Sequence, residues 1–169
     1  MKIQKRDGVF ETNSSSTHAI CVHNQENLEF PEYIYFGLSD LNNDGLLSEI
    51  QERANYLHTI MAMGLSKTEY YNLKIKIARI LKEKGISNEW CKMNWTNDGY
   101  PIDEYDIKDT LMNTIIEKII PNETLLLHFL FGKNSEVIRG YEENYSYRID
   151  REKEKYEPGK EYEYFYENY

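Results

Sequence analysis

The run Glu11-Thr12-Asn13-Ser14-Ser15-Ser16-Thr17-His18 gathers the side chains of this 169-residue chain best suited to act together on a substrate. Six consecutive hydroxyl or amide side chains, Thr12 to Thr17, lead into an imidazole, and a carboxylate stands at the other end. Hydroxyls, amides and the N–H groups of a bend can cradle a phosphate or an oxyanion. An imidazole titrating near neutrality can move a proton, and a carboxylate can orient it or serve as the opposite acid or base. His18, Glu11, Ser14, Ser15 and Ser16 are therefore the candidate catalytic group, with Thr12, Asn13 and Thr17 as substrate contacts. The serine-hydrolase elbow GxSxG is absent, which gives an acyl-transfer role for these serines little support. The plain alternative is a serine-rich surface loop.

Two groups of cations could steer an anionic ligand to that run. Lys5 and Arg6 precede it, with Lys2, and Lys74, Lys76, Arg79, Lys82 and Lys84 crowd one predicted helix. A solvated helix face accounts for the second group, and so does a surface that tracks an RNA backbone. The whole chain carries a net charge of −9, which argues against free DNA or an anionic membrane as a partner of the entire surface. A basic partner, or a nucleic acid held by a local basic patch, fits that balance. The two cysteines, Cys21 and Cys91, are too few for a disulfide scaffold and have no CxxC spacing, so neither a metal nor another cofactor is expected. No apolar h-region opens the chain and no run reaches the roughly 20 apolar residues that span a bilayer. The expected setting is the cytoplasm.

Other positions carry weaker signals. Asp40-Leu41-Asn42-Asn43-Asp44-Gly45 matches the opening of a calcium loop, but position twelve is the neutral Gln51 instead of a bidentate glutamate. An Asx-rich turn before a helix is the simpler reading. His58 and His128 read as packing residues, on a helix and in an apolar strand respectively, and His23 as an exposed strand end. The acidic-aromatic alternation Glu161-Tyr162-Glu163-Tyr164-Phe165-Tyr166-Glu167 would present carboxylates on one face of a strand, either as charges guarding an edge or as a nucleic-acid mimic.

The elements that must position these groups follow from hydrophobic spacing. Residues 2–23 read as two short strands around the polar run, and Glu32 to Phe36 as a third. Helices are predicted from about Leu46 to Met63, from a capping box at Ser66–Glu69 to Gly85, and from Asp103 to Ile120 before Pro121. Trp90 to Trp95 reads as a packed loop or short strand. The apolar segments Thr124–Phe131 and Glu136–Tyr141 read as strands joined by a turn at 132–135, and 148–166 as a hairpin about Pro158-Gly159. The expectation is one α+β domain over residues 1–169, with strands in 2–37, helices in 46–120 and a β-rich part in 124–169. The N- and C-terminal strands would form an antiparallel sheet packed against about three central helices.

The string Arg6-Asp7-Gly8-Val9-Phe10-Glu11-Thr12-Asn13-Ser14-Ser15-Ser16-Thr17-His18-Ala19-Ile20 resembles the N-terminal signature of a family of small proteins encoded by phages and mobile elements of Firmicutes and other bacteria, of the GVFETNSSSTHS type. Leu125-Leu126-Leu127-His128-Phe129-Leu130-Phe131-Gly132, followed by Asn134-Ser135, is similar to the C-terminal half of such proteins. The serine usual after the histidine is Ala19 here. The resemblance implies a phage or mobile-element origin and, by analogy, counter-defence: an anti-CRISPR acting on a host immune ribonucleoprotein of the Cas9 type, by cleaving or displacing guide RNA. In a metal-free cleavage His18 would take the 2′-hydroxyl proton with Glu11 as partner, while Lys5, Arg6, Lys74, Lys76 and Arg79 steer the RNA. The alternatives are a non-catalytic acidic inhibitor that docks its C-terminal segment in a basic groove, and a phage assembly or housekeeping factor without an active site.

Overall fold

A computed structural model describes residues 16–23, 27–39, 45–95, 114–141 and 162–166. In chain order the elements are strand β1 (Ser16–His23), β2 (Tyr33–Phe36), β3 (Gly45–Leu47), helix α1 (Ile50–Gly64), α2 (Lys67–Glu83), β4 (Ser87–Trp90), a π-helical turn (Ile115–Ile119), α3 (Glu123–Phe131), β5 (Glu136–Tyr141) and β6 (Tyr162–Tyr166). The expected α+β architecture is present. A four-stranded antiparallel sheet, in the order β3-β5-β1-β6, joins strands from both ends of the chain and packs against helices. A separate parallel pair, β2 and β4, lies against α1 and α2.

Register explains how the large sheet seals its core. Val137 in β5 stands between Ile20 in β1 and Leu47 in β3, and all three side chains are buried. Burying one such residue contributes about 1.5–3 kcal/mol, so a slip by one residue would turn the whole row to the wrong face. α1 is the central helix, touching β2, α2, α3 and the π turn. From Tyr56 to Ala62 every residue of it is buried, as a helix covered on all sides must be. α2 is covered on one side only, by Tyr70, Ile77, Ile80 and Leu81. Its ends are the predicted ones. Ser66 Oγ accepts from Glu69 N–H while the Glu69 carboxylate accepts from Ser66 N–H, and Gly85, at φ 78°, turns the chain so that Ile86 N–H reaches Leu81 O.

Four expectations need correction. Leu46 and Leu47 belong to β3, and α1 starts at Ile50, because Glu49 and Glu52 form a capping box there. Thr124–Phe131 lies within a helix. A short apolar run fits a buried helix as well as a buried strand, and Asn122 decides the matter by accepting from Leu125 N–H (3.1 Å) at the N-cap. The polar run gives way to strand at Ser16, ahead of the expected Ala19, and His23 is buried rather than exposed. β6 pairs with β1; the other half of the expected hairpin, 148–156, lies outside the described residues, as do 2–15 and 103–113. The end of the third predicted helix is the π turn, where Ile120 N–H donates to Ile115 O.

The end of β1 and the turn before β5 meet at the C-terminus of α3. His23 N–H, at the end of β1, donates to Ser135 Oγ (2.8 Å), and that hydroxyl donates to His128 O (2.7 Å). Gly132 N–H also donates to His128 O. Arg53 of α1, buried to 1% exposure, closes the knot. Its Nη1 donates to Ser48 O and Ser135 O, and its Nη2 to Leu130 O (2.9 Å) and Gly132 O (3.1 Å). The guanidinium thus takes up carbonyls that the last turn of a helix leaves without partners.

Two substitutions test this knot by urea unfolding. A Cβ at Gly132 would lie 2.5 Å from Ser135 Oγ and 3.0 Å from His23 O, and closer still to His128 O, so Gly132→Ala should lower stability by about 1–3 kcal/mol. Arg53→Lys should destabilise by roughly 3 kcal/mol, because an ammonium cannot span four carbonyls as the planar fork does. A midpoint unchanged by Arg53→Lys would show that the carbonyl cage contributes little.

Candidate functional site

The predicted site divides between two parts of the fold. Ser16, Thr17 and His18 are the first residues of β1, paired in register with Tyr141, Gly140 and Arg139 of β5. Their backbone belongs to a sheet ladder and not to a bend. Glu11, Thr12, Asn13, Ser14, Ser15, Lys5 and Arg6 lie outside the described residues, as do Asp40 to Asp44 of the calcium-like loop. Gln51, at the twelfth position of that loop, is in α1, where its amide nitrogen donates to Tyr35 O and Asn55 Oδ1. Among the described residues no group of three or more His, Cys, Asp or Glu is placed to hold a metal, and no helix is long and apolar enough to cross a membrane.

Lys74, Lys76 and Arg79 are on α2, which packs on α1 and β4, whereas β1 packs on β5, β6 and α3. Lys76 Nζ donates to Pro121 O (3.3 Å), and Arg79 makes a loose, exposed pair with Glu83 (3.9 Å). Lys74 is held by rings: its Nζ lies 5.4 Å from the centroid of Trp90 and 6.0 Å from that of Tyr71. Such cation–π contacts stabilise by about 0.5–1 kcal/mol at an exposed site.

Behind Lys74 is an aromatic cluster whose composition only partly shows in the sequence. Trp90, the last residue of β4, stacks on Phe36 of β2 (3.9 Å, 9°) and meets His58 edge-on (5.2 Å, 86°). Parallel pairing of β2 with β4 sets Phe36 against Trp90 in register. Tyr70 packs edge-on against Tyr71 (5.3 Å) and Trp95 (5.1 Å). The signal for this cluster is the Trp90–Trp95 spacing together with Tyr70-Tyr71, but its convergence needs the β2–β4 crossover, which no local pattern reveals.

His58 is fully buried at the centre of the cluster. Its Nδ1 is 2.7 Å from Gly37 O, and a carbonyl only accepts, so Nδ1 carries the proton. Nε2 then accepts from the Tyr70 hydroxyl (2.6 Å). Cys91 Sγ lies 3.8 Å from Nδ1, but a protonated nitrogen cannot take the thiol proton, so these two groups are not a nucleophile–base pair. Burial raises the pKa of the Cys91 thiol, with Lys74 opposing, and burial also pushes the Tyr70 hydroxyl up. The His58 and Tyr70 protons are therefore committed to hydrogen bonds within the cluster, while the buried Trp95 indole N–H has no partner among the described residues.

Burial lowers the pKa of His58, outweighing the Gly37 hydrogen bond. The unfolded chain then binds a proton at His58 more readily than the folded one, so stability falls as pH drops below the ordinary value of 6.5. Urea midpoints measured across pH 5–8 should show a smaller loss on the acid side for His58→Gln than for the parent protein; equal slopes would contradict a neutral, buried imidazole. Compared with protein-family models, with curated proteins and with solved structures, the chain matches none.

Proposed function

We propose that this chain is a counter-defence protein of a phage or mobile element that disables a host immune ribonucleoprotein of the Cas9 type by engaging and displacing its guide RNA. The observation that carries this reading is the segregation of charge. A chain of net charge −9 places Lys67, Lys74, Lys76, Arg79, Lys82 and Lys84 along one helix and its C-cap, against only Glu69 and Glu83. A local cationic surface on an anionic body favours an RNA backbone at one place and disfavours it elsewhere. The resemblance of Gly8 to His18 to the phage signature supplies the biological setting. Displacement is favoured over cleavage because α2, with its cations, and β1, with His18, have different packing partners.

A second reading keeps the catalytic role. The backbone register pairs His18 of β1 with Arg139 of β5, and RNA cleavage can use these two residue types, one to move a proton and one to stabilise the phosphate.

A guide-loaded nuclease incubated with the protein separates these readings. Displacement predicts loss of target cleavage with the guide recovered intact, and loss of inhibition when Lys74, Lys76 and Arg79 are changed to Glu. Catalysis predicts shortened guide in the presence of EDTA, abolished by His18→Ala. A nuclease left fully active by the unmodified protein would sink both.

A further inference from the structure

We infer that Tyr71, Lys74, Ile75 and Arg79 of α2 form a docking surface for single-stranded RNA, with Tyr71 as the platform on which an unpaired base stacks. RNA as the ligand rests on the function proposed above; the surface itself rests on geometry. Tyr71 is 41% exposed, yet its ring is not loose. Tyr70 supports it edge-on and Trp95 at a tilt (6.1 Å, 44°), and Tyr70 is itself fixed by its hydrogen bond to the buried His58. A ring held in this way loses little freedom when a base settles on it.

The neighbours suit the rest of a nucleotide. Lys74 Nζ lies between the Tyr71 and Trp90 rings, each 5–6 Å from it, positioned without a carboxylate and able to swing to a phosphate. Tyr71, Ile75 and Arg79 recur every four residues and share one face of the helix. Ile75 is 68% exposed, the highest value among the exposed large hydrophobic residues, and continues the apolar surface beyond the ring. Arg79 ends the stripe with a guanidinium that its loose contact with Glu83 leaves available. An exposed ring flanked by cations matches the alternation of base and phosphate in a single strand. It does not match duplex RNA, whose bases are already stacked on each other. An acidic protein segment would satisfy the cations and Ile75 but has less use for the propped ring.

Fluorescence anisotropy with a short, unstructured, labelled RNA tests this. Binding should weaken with salt with a log–log slope of about −1.4, as for roughly two phosphate contacts on a single strand. Tyr71→Ala should weaken it about tenfold while Tyr71→Phe retains it, and Lys74→Ala should lower the slope by about 0.7. Tyr71→Phe keeps the packing, so loss of fold cannot stand in for loss of stacking. The inference is overturned when no RNA binds, when Tyr71→Ala and Lys74→Ala bind as the parent does, or when polyglutamate binds in place of RNA. The same variants in the nuclease assay keep the two proposals apart. Tyr71→Ala that loses RNA yet still inhibits supports this surface and overturns displacement, whereas RNA binding and guide release that survive both Tyr71→Ala and Lys74→Ala overturn this surface alone.

Discussion

Arg53 is the constraint around which the described structure is arranged. A guanidinium removed from water costs several kcal/mol unless its donors are met, and here main-chain carbonyls from three separate places accept from Nη1 and Nη2, while Nε has no partner among the described residues. Ser48 O precedes α1, Leu130 O and Gly132 O end α3, and Ser135 O leads into β5. Burial pulls the Arg53 pKa down to about 10, with Glu49, Glu136 and Glu52 opposing, so the group stays charged at neutral pH. The charge therefore holds α1, α3 and the start of β5 in one arrangement. Any other packing of these elements would leave the cation, or the carbonyls, without partners.

That arrangement also ties the two outer parts of the chain together through one hydroxyl. The segment that ends in His18 continues through β1 to His23, and the segment ending in Asn134-Ser135 supplies the hydroxyl that receives the His23 N–H. Two stretches far apart in sequence are thus halves of one junction, with a glycine where no Cβ fits. Working chemistry, on this view, belongs to a different face: α2, whose inner side is anchored by Tyr70, Ile77, Ile80 and Leu81 and whose outer side carries cations and an exposed ring.

Much of this was legible in the residues. Ser66 and Glu69, Gly85, and the 3–4-residue spacing of Tyr70, Leu73, Ile77 and Leu81 define α2 without help from tertiary structure, and Lys74, Lys76 and Arg79 follow from its register. The α+β order and the joining of both chain ends in one sheet were legible too. α3 was not, since Leu125 to Phe131 is apolar but for His128 and has no period to read; only Asn122 and the packing around it choose helix. The start of α1 was obscured by a glutamate doing the work usually given to serine or aspartate. The burial of Arg53 has no signal in the sequence because a cation in a helix normally faces water, and only the carbonyls gathered by the fold make its burial intelligible. The burial of His23 is hidden from the sequence for the same reason: its N–H partner, Ser135, lies in a turn 112 residues away.

Hydrogen–deuterium exchange on the protein, alone and with a guide-loaded immune ribonucleoprotein, tests the central division between scaffold and working face. The account predicts that added protection falls on peptides spanning residues 67–95, while 16–23 and 125–138 exchange as slowly in the free protein as in the complex. Protection that appears instead at 16–23, with 67–95 unchanged, would contradict it and return the site to the strand that carries His18.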